Sequence, residues 1–450
     1  MEKNKLFEGT VIDLNDDGDG IVKIDSEVVF VPDTIKDEKI RGIIINSKSK
    51  FAIGKVTELL TTSPLRVPPA CPYSTSCGGC SLQHLNYNDQ LVFKQNKVAN
   101  AFKRVAKLTI SPTQTVASTS FRYRNKIAMP IDPECRRVGL FRTNSHKLVP
   151  VDDCIITKDW IKPLIKVVND FLQKSTISIY NESTKKGLLK HLVAREVNNN
   201  ILITLVINGD SLPNIAPLIS DLKQTFGENF GLNLNKNKLC NNVILTDEFT
   251  HIYGLSSLKK TDFGITYPIT NASFMQVNDE ICEKIYQTVL NNISAKDVVI
   301  NAYSGAGLLS ALISTKAKFV YGIEIVSDAS RSAEKLKIDN NINNLINICG
   351  DCTKELPKLI SLNNINDFTL VVDPPRKGLT IEVVECIKKS MPNKIIYISC
   401  NPQTLARDIA LIVQDGNFVI ENVIPYDMFP ETAHVESVCI LKKLNSLPAN

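Results

Sequence analysis

Four short apolar runs, each followed by a stretch of helical periodicity, dominate the last third of the chain. They are Val298-Val-Ile-Asn-Ala302, Phe319-Val-Tyr-Gly-Ile-Glu324, Thr369-Leu-Val-Val372 and Lys394-Ile-Ile-Tyr-Ile-Ser399. Consecutive apolar positions mean a strand covered on both faces, and crossover helices are what cover both faces of a parallel sheet. From about residue 271 onward the pattern therefore reads as βαβ units in a doubly wound α/β fold. In such folds ligands bind at the carboxyl ends of the strands, so the residues that end each run carry the information about chemistry.

The first run breaks into Tyr303-Ser304-Gly305-Ala306-Gly307, a glycine turn that lets backbone approach a ligand. A lone G-x-G is a weak signal, but Glu324 ends the next run 19 residues after Gly305, where an acid accepts hydrogen bonds from ribose hydroxyls. Loop and acid together point to an adenosyl ligand. Asp351, in CGDC, is placed to border the same pocket. The third run meets Asp373-Pro374-Pro375-Arg376-Lys377-Gly378, where two prolines stop helix entry and fix the backbone at Asp373. The fourth ends in Ser399-Cys400-Asn401-Pro402. A thiol there is either a core residue or a nucleophile; its polar surroundings at a strand end favour the nucleophile. Glu436, in AHVESV before a last apolar strand, stands where a general base could enter.

Residues 1–58 alternate apolar positions between turn clusters, as in a small β-barrel. Asp13-Leu-Asn15-Asp-Asp17-Gly18 imitates half of a calcium loop, but Ile24 falls where a bidentate Glu is required, so a polar hairpin turn is expected. A Pro-rich linker runs from Ser63 to Pro72, and a middle region near 110–262 mixes strands with a basic, aromatic segment. No apolar run reaches the roughly 18 residues of a membrane span, and MEKNKLFEGT lacks a signal-peptide core; a cytoplasmic protein is expected. The net charge of +5 permits a nucleic-acid partner without requiring one.

Twelve cysteines in such a chain are expected to be reduced. Three stand out: Cys71-Pro-Tyr-Ser-Thr-Ser-Cys77-Gly-Gly-Cys80 places soft ligands within ten residues, with glycines that allow close wrapping. A fourth ligand comes from elsewhere, with Cys154 the first candidate and Cys135 the second. Thiolates suit an iron–sulfur cluster and zinc alike.

Taken together, CPYSTSCGGC, FMQVN, NAYSGAG, VVDPPRKG, SCNPQTLARD and HVESV resemble the RNA uracil-5 methyltransferase family, in its order and over nearly the whole chain. The similarity is to the ribosomal RNA branch, which carries an N-terminal TRAM barrel and a [4Fe-4S] cluster. The resemblance implies three parts. These are a TRAM/OB-like β-barrel (1–60), a central α+β iron–sulfur and RNA-binding domain (61–262, its helix near 88–107 packing on the catalytic part) and a Rossmann-like methyltransferase domain (263–450). It implies Cys400 as nucleophile and Glu436 as base. Gln276, Tyr303, Glu324 and Asp373 fall on positions that bind S-adenosylmethionine, and Cys71, Cys77, Cys80 and Cys154 on the cluster ligands. Asn301 departs from the pattern, since many relatives carry an acid there.

The implied chemistry is coherent. Thiolate addition at C6 of uracil makes C5 nucleophilic, C5 takes the methyl group, and a carboxylate removes the C5 proton so that the thiol can leave. The target base must leave its stack. Phe121-Arg122-Tyr123-Arg124-Asn125-Lys126 interleaves cations and aromatics, so Arg122, Arg124 and Lys126 are expected to contact RNA, with Arg136, Arg137 and Arg142 extending the stretch. The expected partner is ribosomal RNA, read by a monomer. Transfer RNA methylation and a non-catalytic RNA-binding relative are the alternatives. A DNA cytosine methyltransferase is disfavoured, because its nucleophile follows Pro and Cys400 follows Ser399.

Overall fold

Alternating strands close the first 61 residues into a barrel. Its strands are Leu6–Leu14, Gly20–Ile24, Glu27–Val31, Lys39–Ser47 and Ala52–Thr61, with Phe7, Val11, Val22, Val29, Ile40 and Ile44 filling the inside. The computed structural model describes residues 2–273 and 275–444; Phe274, which opens FMQVN, lies outside the described residues. The suspected calcium loop is a hairpin turn. The Asn15 side-chain oxygen accepts the N–H groups of Asp17 (2.9 Å) and Asp19 (2.8 Å), an Asx arrangement that closes the turn without an ion.

The middle of the chain forms a seven-stranded sheet, ordered Phe249–Gly254, Phe230–Lys236, Asn200–Ile207, Leu189–Val197, Lys126–Asp132, Arg137–Phe141, Leu148–Pro150. Two helices, Ile161–Lys174 and Ala216–Phe226, bury Leu164, Val168, Phe171, Leu218 and Leu222 against it. A further helix, Tyr87–Ala101, begins at an Asn86 cap and runs on as a π-turn through Ala106. Its Val98, Ala101 and Phe102 enter the core of the C-terminal sheet.

That C-terminal sheet also has seven strands among the described residues. Their order is Leu345–Cys349, Phe319–Glu324, Val298–Ala302, Thr369–Val372, Lys394–Ser399, Glu436–Lys443, Phe418–Tyr426. The first five are parallel, Glu436–Lys443 runs antiparallel to them, and Phe418–Tyr426 returns to their direction. Successive residues of the central strands feed opposite cores: Val299, Val371 and Ile396 one, Ile300, Leu370 and Ile395 the other. Each such side chain contributes roughly 1.5–3 kcal/mol on full burial, which accounts for unbroken apolar runs without alternation. Strand order along the sheet reverses between Val298–Ala302 and Thr369–Val372, creating the switch point at which such sheets open a crevice. No helix among the described residues is long and apolar enough to cross a membrane.

Candidate active site

The sequence Ser399-Cys400-Asn401-Pro402 builds a strand end and a helix start in four residues. The Asn401 backbone N–H donates to the Ser399 hydroxyl (3.1 Å), and the Asn401 side-chain oxygen caps the helix Pro402–Val413 through the Gln403 N–H (3.0 Å). Pro402 needs no partner for an N–H at the first helical position. Cys400 is left between strand and helix, half-buried. The rest of that motif ties the helix to the Asp373 loop. Asp408 accepts the Leu379 N–H and the Tyr397 hydroxyl, both at 2.7 Å, and Arg407 donates to the Lys377 carbonyl (2.9 Å). Gly378, at φ 77°, lies so close that a β-carbon would stand 2.4 Å from Asp408.

Four ionisable groups thereby meet. Burial pushes the Cys400 thiol up, with the Glu436 and Asp373 charges adding to it, while the Arg376 guanidinium works in the opposite direction. Glu436 begins the strand Glu436–Lys443 and is buried; desolvation, reinforced by Asp373 and opposed by Arg376, raises its pKa to about 8. Asp373 is enclosed by protein atoms, which pushes its pKa up to about 7, yet water still reaches it. Solvent at this exposed carboxyl moderates that push. A buried carboxyl raised to about 8 beside a thiol and an arginine can give and take a proton near ordinary pH.

Across the switch point, Tyr303 holds a left-handed backbone, φ 63°, a conformation costing a non-glycine residue roughly 1–3 kcal/mol. A β-carbon on Gly305 would meet nothing within 4 Å, whereas one on Gly307 would strike Ala333 at 2.5 Å. The loop thus faces open space on one side and a packed helix on the other. Each carboxylate oxygen of Glu324 accepts one backbone N–H at 2.8 Å, from Gly305 and Val326, so the acid braces the loop and keeps further lone pairs. Asp351 caps the helix Cys352–Leu362 through the Thr353 N–H (2.9 Å), a bond that holds its carboxyl below the usual range. Gln276 is fixed by its backbone, its carbonyl accepting from the Asn125 amide at 3.0 Å. Buried Asn301 donates to the Ser310 hydroxyl (2.8 Å), and its own amide oxygen has no partner among the described residues.

The thiols of Cys71, Cys77, Cys80 and Cys154 line one pocket with Leu140, Val151 and Ile156. Cys135 lies outside it. Burial and mutual repulsion raise Cys71 and Cys77, and Cys80 reaches about 12; such thiols ionise only when a cation compensates them. Among the described residues no three His, Cys, Asp or Glu side chains are set as ligands for one metal ion, so the four share a pocket without closing on a single centre.

Of the residues expected to contact RNA, Arg122 is engaged with protein groups. It holds both Asp153 oxygens (3.0 and 2.7 Å), the Thr157 carbonyl (3.0 Å) and Asp159 (3.0 Å), clamping the turn that carries Cys154. Arg124 and Lys126 differ, as neither has a carboxylate partner among the described residues; burial, then Arg195 and Arg124, lowers Lys126 to about 8. Arg136 is also spent on protein, donating to the carbonyls of Leu172, Ser175 and Ile177, and Arg137 pairs with Asp152.

Other contributors went unseen in the sequence. Arg376, Arg407 and Asp408 lay inside quoted motifs, which was the available signal. The buried ion pair of Lys94 with Asp427 gave none; it is joined by Tyr87 bonding Asp427 (2.8 Å) and Gln90 bonding Glu431 (3.0 Å). These bonds, with Ser81 and Leu82 donating backbone N–H to the Glu431 carbonyl (2.9 and 3.0 Å), seat the loop before Glu436. On the other flank, Gln403 donates to Asp16 of the barrel turn (2.7 Å).

Residues 86–444 match the model of the tRNA (uracil-5-)-methyltransferase family. The chain is 35% identical to an uncharacterised RNA methyltransferase of Clostridium acetobutylicum, covering 99% of this chain and 98% of that protein. A counterpart from Staphylococcus epidermidis is 34% identical, with 98% of each covered. The fold is similar to the Pyrococcus abyssi tRNA (uracil-54, C5)-methyltransferase solved with S-adenosyl-L-homocysteine. That match has a TM-score of 0.77 and 26% identity over 96% of this chain and 99% of that one. The chain is accordingly an RNA methyltransferase and belongs to the tRNA (uracil-5-)-methyltransferase family.

Proposed function

We propose that the enzyme methylates C5 of a uridine in RNA by adding the Cys400 thiol to C6. The observation that carries this reading is the meeting of Cys400, Glu436, Asp373 and Arg376 at the carboxyl ends of the parallel strands, beside a glycine loop. Arg376 favours the thiolate as Cys400 bonds to C6, and the C5–C6 electrons move to C5. S-adenosylmethionine supplies the methyl group as an electrophilic sulfonium. Glu436, once ionised, removes the C5 proton, and the electron pair of that C–H bond re-forms C5–C6 as the Cys400 sulfur departs. Gln276, Tyr303, Gly305, Glu324, Asp351 and Asp373 surround the donor in this reading.

We assign Cys71, Cys77, Cys80 and Cys154 to a [4Fe-4S] cluster in a TRAM-type enzyme. Four thiols in one apolar pocket suit iron, and iron–thiolate bonds would staple the 71–80 loop to the Cys154 turn. Arg124 and Lys126 take RNA phosphate as their counter-charge. The enzyme is read as a cytoplasmic monomer acting on ribosomal RNA. Transfer RNA is the second reading, favoured by the end-to-end likeness to the Pyrococcus abyssi enzyme. Mapping 5-methyluridine in both RNA classes from cells with and without the gene decides between them.

The mechanism is tested by where the reaction stops. Glu436→Gln should add the thiol, transfer the methyl group and stall, leaving a methylated RNA–protein adduct stable to denaturing electrophoresis. Cys400→Ala should form no adduct, even with 5-fluorouridine at the target. An adduct in the Cys400→Ala protein would refute the nucleophile.

A further inference from the structure

In the central sheet, a cavity of about 580 Å³ lies where the Arg137–Phe141 strand, neighbour of Lys126–Asp132, turns toward Leu148. The mechanism does not use it. Its walls carry the exposed Phe141 ring and the Tyr180 ring, the latter with the Lys190 ammonium 4.6 Å from its centroid. Arg142 and Lys185 are exposed at its lining, and no ion pair or side-chain hydrogen bond engages either among the described residues. Lys190 donates only to the Asn237 and Leu239 carbonyls (3.1 and 2.9 Å), so its charge is uncompensated. The one carboxylate among the described lining residues, Glu182, meets the His146 ring at 3.2 Å, leaving cations in excess over carboxylates at the lining. The enclosed Nδ1 of His191, another lining residue, has no hydrogen-bond partner among the described residues.

We infer that this cavity is a second RNA site, which holds a single-stranded stretch of the substrate away from the reacting uridine. Three uncompensated cations attract a polyanion. The exposed Phe141 ring offers a stacking face that any base can use, with Tyr180 buried behind the wall under Lys190. The amides of Asn144, Asn241 and Asn242 line the same space and can bond base edges. A paired helix keeps its bases stacked and hidden, so this lining suits unpaired nucleotides. An acidic protein segment would use the cations and leave the ring and amides idle. The wall is also tied to the cysteine loop. Gly78 donates its N–H to the Phe141 carbonyl (2.9 Å), and Cys77 bridges to Arg142. A β-carbon on Gly78 would meet the Thr143 backbone at 2.9 Å. The fold around the four thiols therefore sets the position of Phe141 and Arg142.

The inference rests on RNA being the substrate and is tested by binding alone, without methyl donor. The probe is a fluorescent single-stranded oligouridylate about a dozen nucleotides long, followed by anisotropy over a salt series. Each lost phosphate contact on a single strand lowers the slope of log affinity against log salt by about 0.7. Arg142→Glu with Lys185→Glu should flatten the slope by about 1.4 and weaken binding roughly tenfold at physiological salt. Affinity for S-adenosylhomocysteine should be unchanged, which certifies the fold. With 4-thiouridine in the probe, wild-type protein should yield crosslinked peptides containing Phe141. Equal affinity and slope in the two proteins, or preference for a duplex of the same length, overturns the inference. If the slope change appears but no RNA acquires 5-methyluridine, the site stands and the reaction assignment fails instead.

Discussion

Replacing Glu436 by Gln should stabilise the protein, and by an amount that grows with pH. The carboxyl is buried, and its pKa stands at about 8 against an ordinary 4.5. Below 4.5 it is protonated in both folded and unfolded chains, so the two proteins should be about equally stable. As pH rises from 4.5 to about 8, the unfolded chain loses its proton while the folded one keeps it, and the wild type loses stability steadily. Above about 8 both forms are ionised and the difference levels off, at roughly 5 kcal/mol if the whole shift is expressed. That is a large part of the 5–15 kcal/mol that holds a typical domain together. Gln, which cannot ionise, should show no such decline. Urea unfolding of both proteins across this window measures the difference through the midpoints. Methyl transfer linked to the same group should run the opposite way, product release rising with pH and levelling above about 8. Asp373→Asn removes the neighbouring charge and should move the upper end of the window down. A difference between wild type and Glu436→Gln that stays constant from pH 4.5 to 8 would refute the claim that the fold holds this carboxyl neutral.

Three further outcomes are expected. Protein purified without oxygen should be brown, and Cys77→Ser should bleach it; stoichiometric zinc in a colourless wild type would overturn the cluster. Gly307→Ala forces a β-carbon to 2.5 Å from Ala333 at φ 83°, which should cost roughly 1–3 kcal/mol of stability and weaken S-adenosylhomocysteine binding measured by calorimetry. Arg122→Ala should lower iron content and melting temperature while leaving the salt slope of RNA binding unchanged, because its guanidinium is engaged with Asp153 and Asp159; a flattened slope would return it to the RNA surface.

What was legible in the sequence followed from local rules. Ser399-Cys400-Asn401-Pro402 spells its own geometry, since the Ser hydroxyl, the Asn cap and the Pro each act within two residues of the thiol. The doubly wound sheet was legible because strands buried on both faces leave no polar alternation. Arg122 and Arg124 were not distinguishable. Both are cations beside aromatics, and the carboxylate that engages Arg122 lies 31 residues away, at Asp153. Glu324 was placed correctly at its strand end, yet its bond to the Gly305 N–H depends on a turn conformation that no residue pattern states. The second RNA site was invisible for a related reason. Its walls come from three separated segments, and only folding adds up their charge.

The buried pair of Lys94 and Asp427 also sets a clock on the enzyme's birth. The two residues are 333 positions apart, and a ribosome adding about 5–20 residues per second needs roughly 20–70 s to travel that distance. Throughout that interval the Tyr87–Ala101 helix carries an ammonium group with no counter-charge in the nascent chain, and so cannot settle into the dry site it finally occupies. Asp427, Glu431 and Glu436 emerge close together. One short burst of synthesis therefore delivers the counter-ion, the loop's anchor and the proposed base.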